Sequence, residues 1–238
     1  MTAKADPDPP GYDIRESKRA RQVILKMNRR RELVVVVPVG FDRRQIPGIV
    51  ARKQAWIEKT RQRMAVRAAP DGPSRPERID LQAVERVYRV DWDHRPGGPV
   101  VLSNPGEDRL LISGDCTDAR AYRRVLLLWL RRQGRRHLSQ WLAEESARTG
   151  LGYQSVQIRA QKSRWGSCSK RGTISLNCKM LFFPAELVRY VMVHELSHTR
   201  YLNHSERFWS LVGEIEPEYR RLDGALKAAW GFVPEWAD

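Results

Sequence analysis

Two apolar runs open the chain, RQVILKM and ELVVVVPVGF, within residues 15–41. Both are rich in β-branched and aliphatic residues. The polar NRRR between them (residues 28–31) predicts a turn and hence a hairpin. Over residues 48–67 the period changes. Ile49, Val50, Trp56, Ile57 and Met64 recur at helical spacing, which predicts an amphipathic helix with a basic outer face. APDGPSRPE (residues 69–77) is dense in Pro and Gly and reads as a loop. Short β-like runs follow as far as residue 115, AVERVYRVDW, PVVLS and DRLLIS, with turns at RPGGP and NPGED.

Helical periodicity returns after Thr117, a candidate N-cap. Tyr122, Val125, Leu126 and Trp129 form a stripe that Leu138, Trp141 and Leu142 resume, and Gly150 is a fitting stop. SVQIRA (155–160) alternates as a strand. KSRWGSCS and GTISLN flank the turn SKRG and predict a second hairpin, in which TISLN is either an edge or near-edge strand able to hold a substrate as an added strand or part of a plain core hairpin. Pro184 suits the first turn of a helix that continues through His198. Leu187, Val188, Val191, Met192, Val193 and Leu196 make that helix apolar nearly all round, so it must be buried. The fold class expected is α+β: a small mixed or antiparallel sheet with a helix of special chemistry, preceded by a β-rich part. The divisions read from the pattern are a flexible tail (1–13), a β-rich N-terminal part with one amphipathic helix (14–115), and the remainder (116–238).

Composition adds limits. The longest apolar runs, LVVVVPV and VLLLWL, are too short to span a membrane. The N-terminus lacks the pattern of a signal peptide. The three cysteines, Cys116, Cys168 and Cys178, match no metal knuckle and read as free thiols. A cytoplasmic location is therefore expected. The net charge is +15 and uneven. Residues 15–67 carry sixteen Lys and Arg against four acids, and residues 119–136 carry seven Arg and no acid. Such surfaces can attract nucleic acid or acidic proteins, but no nucleic-acid fingerprint accompanies the charge, and plain solvated charged faces are the favoured reading.

The buried helix carries the chemistry. Residues 194–198 read His-Glu-x-x-His. Residues four apart on a helix lie roughly 40° apart around its axis and about 6 Å along it, so His194 and His198 can aim at one point. Glu195 lies on an adjacent flank, within reach of a water at that point but not a ligand. Catalytic zinc takes three protein ligands and leaves a position open. His204 is the leading third ligand, with Glu206, Glu214 and Glu216 as rivals. His204 can join only if the chain turns after residue 198. Asn203 tolerates the left-handed conformation such a turn uses, and Ser205 can cap a following helix that ends before Pro217.

The string KSRWGSCS…GTISLN…PAELVRYVMVHELSHTRYLNHSERFW resembles the YgjP-like zinc metallopeptidases, which are related to the SprT and WLM-type peptidases. The similarity is strong over residues 155–220, with weaker echoes back to residue 14. The resemblance implies a zincin-like domain in which Zn2+ is held by His194, His198 and His204, with Glu195 as general base. It places Arg164 to Ser169 beside the active site. Cys178 departs from the aromatic often found after LN in this family. The histidine spacing also equals that of metzincins, but Tyr201 stands where those have Gly.

The expected reaction is amide hydrolysis of a protein or peptide. Arg164, Tyr190 and Tyr201 are candidates to stabilise the oxyanion. Trp165, Phe208 and Trp209 either line a cleft or fill the core around the metal helix. The competing function is a nucleic-acid-associated protein that uses its metal domain on DNA-bound proteins or only structurally.

Overall fold

The computed structural model describes residues 11–27, 32–58, 60 and 75–237. The chain forms two compact units, residues 1–72 and 73–238. The first is built on a three-stranded sheet of β1 (Tyr12–Ser17), β2 (Ile24–Met27) and β3 (Leu33–Pro38), in the order β1-β3-β2. The expected hairpin is present as the antiparallel pair β2–β3; its NRRR turn lies outside the described residues. The continuous apolar run of β3 makes it the central strand, with Leu33, Val35 and Val37 in the core. β1 pairs with it in parallel. It starts at Tyr12, within the stretch expected to be a tail, because Tyr12 and Ile14 alternate with polar neighbours and pack on the core.

The predicted helix of residues 48–67 starts earlier and is interrupted. α1 runs Ile46–Arg52 with Pro47 in its first turn. Lys53 breaks it, and residues 54–58 are helical again. Ile46 and Ile57 supply the core contacts, whereas Trp56 is 42% exposed rather than part of the apolar face. Met64 lies outside the described residues.

The second unit contains a four-stranded sheet, β4 (Arg78–Leu81), β5 (Arg86–His94), β6 (Val101–Gly106) and β7 (Arg109–Gly114), ordered β4-β5-β7-β6. β4 was not apparent in the hydrophobic pattern because RIDL offers only two inward residues, Ile79 and Leu81. These strands share one core with the helices that follow: Ile79, Val90, Leu110 and Ile112 belong to the same cluster as Leu126, Val188 and Met192. The sheet thus shares its core with the His-Glu-x-x-His helix, although the sequence places it with the N-terminal part.

α2 (Ala119–Thr149) is the long helix. Its N-cap is Asp118, whose carboxylate accepts from the N–H groups of Arg120 and Ala121. Thr117, the expected cap, instead donates its N–H to Asp115. The carboxylate at 118 reaches two free amides of the first turn, a reach the hydroxyl at 117 lacks. Gly150 ends the helix in the left-handed conformation, as expected. Of the predicted stripe, Tyr122, Leu126, Trp129, Leu138 and Leu142 are buried, while Val125 and Trp141 are only partly so.

A second sheet follows: β8 (Ser155–Arg159), β9 (Gly166–Cys168) and β10 (Thr173–Asn177), ordered β8-β10-β9. β10 is parallel to β8 and antiparallel to β9. TISLN is therefore the middle strand, and the edges are β8 and β9. α3 (Ala185–Ser197), α4 (Glu206–Ile215) and α5 (Tyr219–Leu226) complete the unit. Among the described residues no helix is long and apolar enough to cross a membrane.

Gly134 marks where α2 crosses the sheet. A Cβ there would lie 2.8 Å from Cγ2 of Ile158 and 3.1 Å from Cβ of Cys178. Cys178 is fully buried at this crossing. Gly→Ala inside an exposed helix normally stabilises by about 1 kcal/mol. Here the overlap reverses the sign, and Gly134→Ala is expected to destabilise the chain by about 1–2 kcal/mol in urea unfolding.

Candidate metal centre

α3 is buried on nearly all sides, as its sequence requires. Pro184 sits one residue before it, at the N-cap. The helix closes at His198, and the next amides fold back: those of Arg200 and Tyr201 donate to the Ser197 carbonyl. The reversal needs no left-handed residue. Among the described residues the only non-glycine with positive φ is Glu85, so Asn203 does not play its expected role. Ser205 is the N-cap of α4, through backbone geometry and without a side-chain hydrogen bond.

The turn brings His204 back to the helix. Its Nε2 lies 3.0 Å from Nε2 of His194, and one ring nitrogen from each of His194, His198 and His204 falls within 4.8 Å of the others. Among the described residues this is the only such group of three ligand-type side chains. The rival acids do not join it. Glu206 and Glu214 are exposed, and Glu216 pairs with Arg189 at 3.6 Å.

The rings are held from behind. Nδ1 of His198 lies 2.9 Å from the Tyr201 carbonyl. A carbonyl only accepts, so Nδ1 carries the proton and Nε2 keeps its lone pair for the centre. Phe208, fully buried, stacks on His198 with ring centroids 4.5 Å apart. Trp209 stacks on His204 at 5.5 Å and in turn on Tyr219 at 5.4 Å. Phe208 and Trp209 thus pack the histidines, and Trp165 packs on Phe183 and Trp230. Burial, together with the neighbouring histidines, pushes the imidazole of His194 down to about 3, and burial lowers that of His198. Both are neutral at physiological pH, the form that ligates metal.

Glu195 is the unusual group. It is 6% exposed, and its Oε2 is buried with no hydrogen-bond partner. Burial pushes its carboxyl up to about 8, opposed only by the charge of Arg164. Gly166 of β9 lies against it: a Cβ there would meet Oε1 at 2.5 Å and Cγ at 2.6 Å. Three imidazoles gathered at the end of the helix that carries this unpaired carboxyl oxygen fit a divalent cation with a water between it and the acid.

Arg164 is exposed at the head of the same segment. Tyr201 is partly buried. Tyr190 is fully buried, and its hydroxyl donates to Asp223 at 3.3 Å. Burial raises its ionisation, so it stays a neutral phenol. One residue of the site was missed in the sequence. Asn177, completely buried, donates from Nδ2 to the carbonyls of Gln161 and Arg164 and accepts from the Lys179 amide. It pins the segment that carries Arg164, Trp165 and Gly166. A lone asparagine in the apolar run ISLNCKML was the available signal, since a buried amide must find partners.

The profile of the YgjP-like, metallopeptidase domain family matches residues 21–229. The chain belongs to the YgjP-like metallopeptidase family. It is a metallopeptidase by that membership, and the family implies a divalent metal and protein or peptide substrates. Two solved structures are similar over a smaller part. The metallopeptidase zymogen of Pyrococcus abyssi, abylysin, is 27% identical, with a TM-score of 0.35, and the match covers 38% of this chain and 92% of that one. The metallopeptidase zymogen of Methanocaldococcus jannaschii, jannalysin, is 22% identical, with a TM-score of 0.34, covering 40% of this chain and 96% of that one. No curated protein matches the chain.

The buried acid makes a prediction for the metal-free YgjP-like chain. The folded state holds the Glu195 proton up to about pH 8, whereas a free glutamic acid releases it near 4.5. Folding is therefore progressively opposed as pH rises from about 4.5 to about 8, and the penalty is constant above. Glu195→Gln lacks this titration. In chelator, its stability relative to wild type is expected to rise across that window, by at most about 1.4 kcal/mol per pH unit, and then level. Urea unfolding at several pH values measures it. A flat difference contradicts the assignment.

Proposed function

We propose that the chain is a zinc-dependent endopeptidase in which His194, His198 and His204 hold the ion and Glu195 is the general base. The observation that carries this reading is the gathering of three imidazoles on the helix end that also carries the buried, unpaired Oε2 of Glu195. When bound, zinc supplies a Lewis acid for water and for the scissile carbonyl. Glu195 accepts a proton from the attacking water at Oε2. The water oxygen bonds to the carbonyl carbon, the carbon–nitrogen bond breaks, and Glu195 returns the proton to the departing amine. A cation nearby favours the ionised carboxylate, countering the effect of burial. Structural zinc sites usually have four protein ligands; three histidines beside a general base support catalysis instead.

Arg164 is the preferred oxyanion partner. It is exposed, and it precedes by two residues the glycine that touches Glu195. Tyr201 is the second candidate. Tyr190 is set aside because its hydroxyl serves Asp223. β9, the sheet edge next to α3, would hold the substrate as an added strand. Free cysteines at 116, 168 and 178 support a reducing compartment, and the cytoplasm is the proposed location.

The experiment is elemental analysis combined with peptide-library cleavage. Wild type is expected to hold about one zinc per chain, as one catalytic site requires. His204→Ala is expected to lose most of it, while Glu195→Gln keeps the metal and loses activity. Zinc retained by His204→Ala at the wild-type level refutes the three-histidine assignment. Gly166→Ala displaces the acid without touching a ligand. It is expected to keep zinc and to lose about 100-fold in kcat/KM, the scale of a misplacement of about 1 Å.

A further inference from the structure

Away from the histidines, three guanidinium groups converge on an open groove. Its volume is about 790 Å³, and it is lined by Arg131, Arg135 and Ser139 of α2 and by residues 156–160, Arg159 among them. Arg131, Arg135 and Ser139 recur every fourth residue and so follow one face of the helix. Arg120 and Arg124 fall on the same face nearer its start. The other wall is β8. It ends its sheet, so one side of its backbone offers N–H and C=O groups that no neighbouring strand takes up.

The positive charge is not neutralised. Among the described residues no carboxylate pairs with Arg131, Arg135 or Arg159. Arg159 is braced by a neutral partner, its Nε donating to the Gln157 side chain at 3.2 Å. The Nε of Arg131 is buried with no acceptor. Ile158 points toward α2, where its Cγ2 lies next to Gly134. Arg159, the next residue along the strand, therefore lies on the opposite face. The arginines thus flank the β8 edge from both sides of the sheet.

We propose that this groove docks an extended acidic peptide segment, which adds to β8 as a further strand. Main-chain pairing with the edge supplies the register, and the guanidinium groups select carboxylates. Because charge flanks both faces, the segment that fits is a run of consecutive acids rather than acids at alternate positions. No aromatic ring lines the groove, so it lacks the stacking platform by which single-stranded nucleic acid is held. β9, beside Glu195, is the opposite edge of the same sheet. The groove then recruits acidic protein substrates at a distance from the cleaved bond, a step that rests on the peptidase reading; the docking itself does not.

The test is fluorescence anisotropy of a short labelled peptide with an uninterrupted run of glutamates, on the full chain. Arg135 and Arg159 are exposed, so R135E/R159E is expected to fold and to weaken binding about tenfold or more. R135Q/R159Q provides a milder second variant, with a smaller loss in the same direction. K170E/R171E, in the β9–β10 turn, carries the same charge change and is expected to stay within about twofold of wild type. A peptide N-methylated along its backbone is expected to bind weakly, because it cannot add a strand. Equal losses in both charge-reversed variants reduce the effect to general attraction and overturn the proposal. Undiminished binding of the methylated peptide overturns strand addition. An oligonucleotide of equal charge that binds more tightly, and is lost in R135E/R159E, makes the groove a nucleic-acid surface instead. None of these readings needs turnover, and R135E/R159E should cleave a short neutral peptide as wild type does. A chain without peptidase activity therefore leaves the docking result intact.

Discussion

The backbone of β9 passes so close to α3 that one methyl group at position 166 would come within 2.5 Å of a Glu195 oxygen. Much of the centre depends on that approach. It keeps the carboxyl out of water and leaves Oε2 without a protein partner. It also sets a sheet edge beside the buried acid of the helix. The approach is held from outside the helix. Asn177 ties down the carbonyls of Gln161 and Arg164, and Trp165 is wedged between Phe183 and Trp230. A buried amide with its partners met is stiff, and that stiffness keeps Gly166 against Glu195.

The histidines are arranged by a different means. α3 alone positions two of them, through the helical repeat. The third arrives on a turn, and the start of α4 packs aromatic rings against all three, stacked on His198 and His204 and edge-on to His194. Phe208 and Trp209 are adjacent in sequence, yet one backs His198 and the other backs His204. Desolvation keeps His194 and His198 neutral. Phe208, an apolar residue with no polar chemistry of its own, thus orders the three imidazoles by geometry and by excluding water.

The large positive charge divides into separate local tasks. Arg123 donates to backbone carbonyls of Glu235 and Trp236, and Arg189 pairs with Glu216. Arg109 and Arg89 both pair with Asp91. Arg131, Arg135 and Arg159 have no such employment. The two edges of one small sheet consequently differ in character: a short edge beside a buried acid, and a cationic edge beside α2.

Much of the site was legible in the sequence. The period of LVRYVMVHELSH identifies a buried helix, and the spacing of His194, Glu195 and His198 follows from helical geometry alone. The hairpin of β9 and β10, the limits of α2 at Gly150 and the break after His198 were equally local. What stayed hidden depends on neighbours distant along the chain. Asn203 does not turn left-handed because the amides after Ser197 find acceptors within the helix end. TISLN is a middle strand because β8, which precedes it by many residues, pairs along its free side. β4 to β7 share the core of the His-Glu-x-x-His helix, and no local pattern shows which core a strand will join. The sequence by itself determined which residues can act, since residue type and helical spacing are properties of a short segment. Only the tertiary structure decided that Glu195 is unpaired, that Gly166 must lack a side chain and that three arginines face one groove, because burial and close approach exist only between segments.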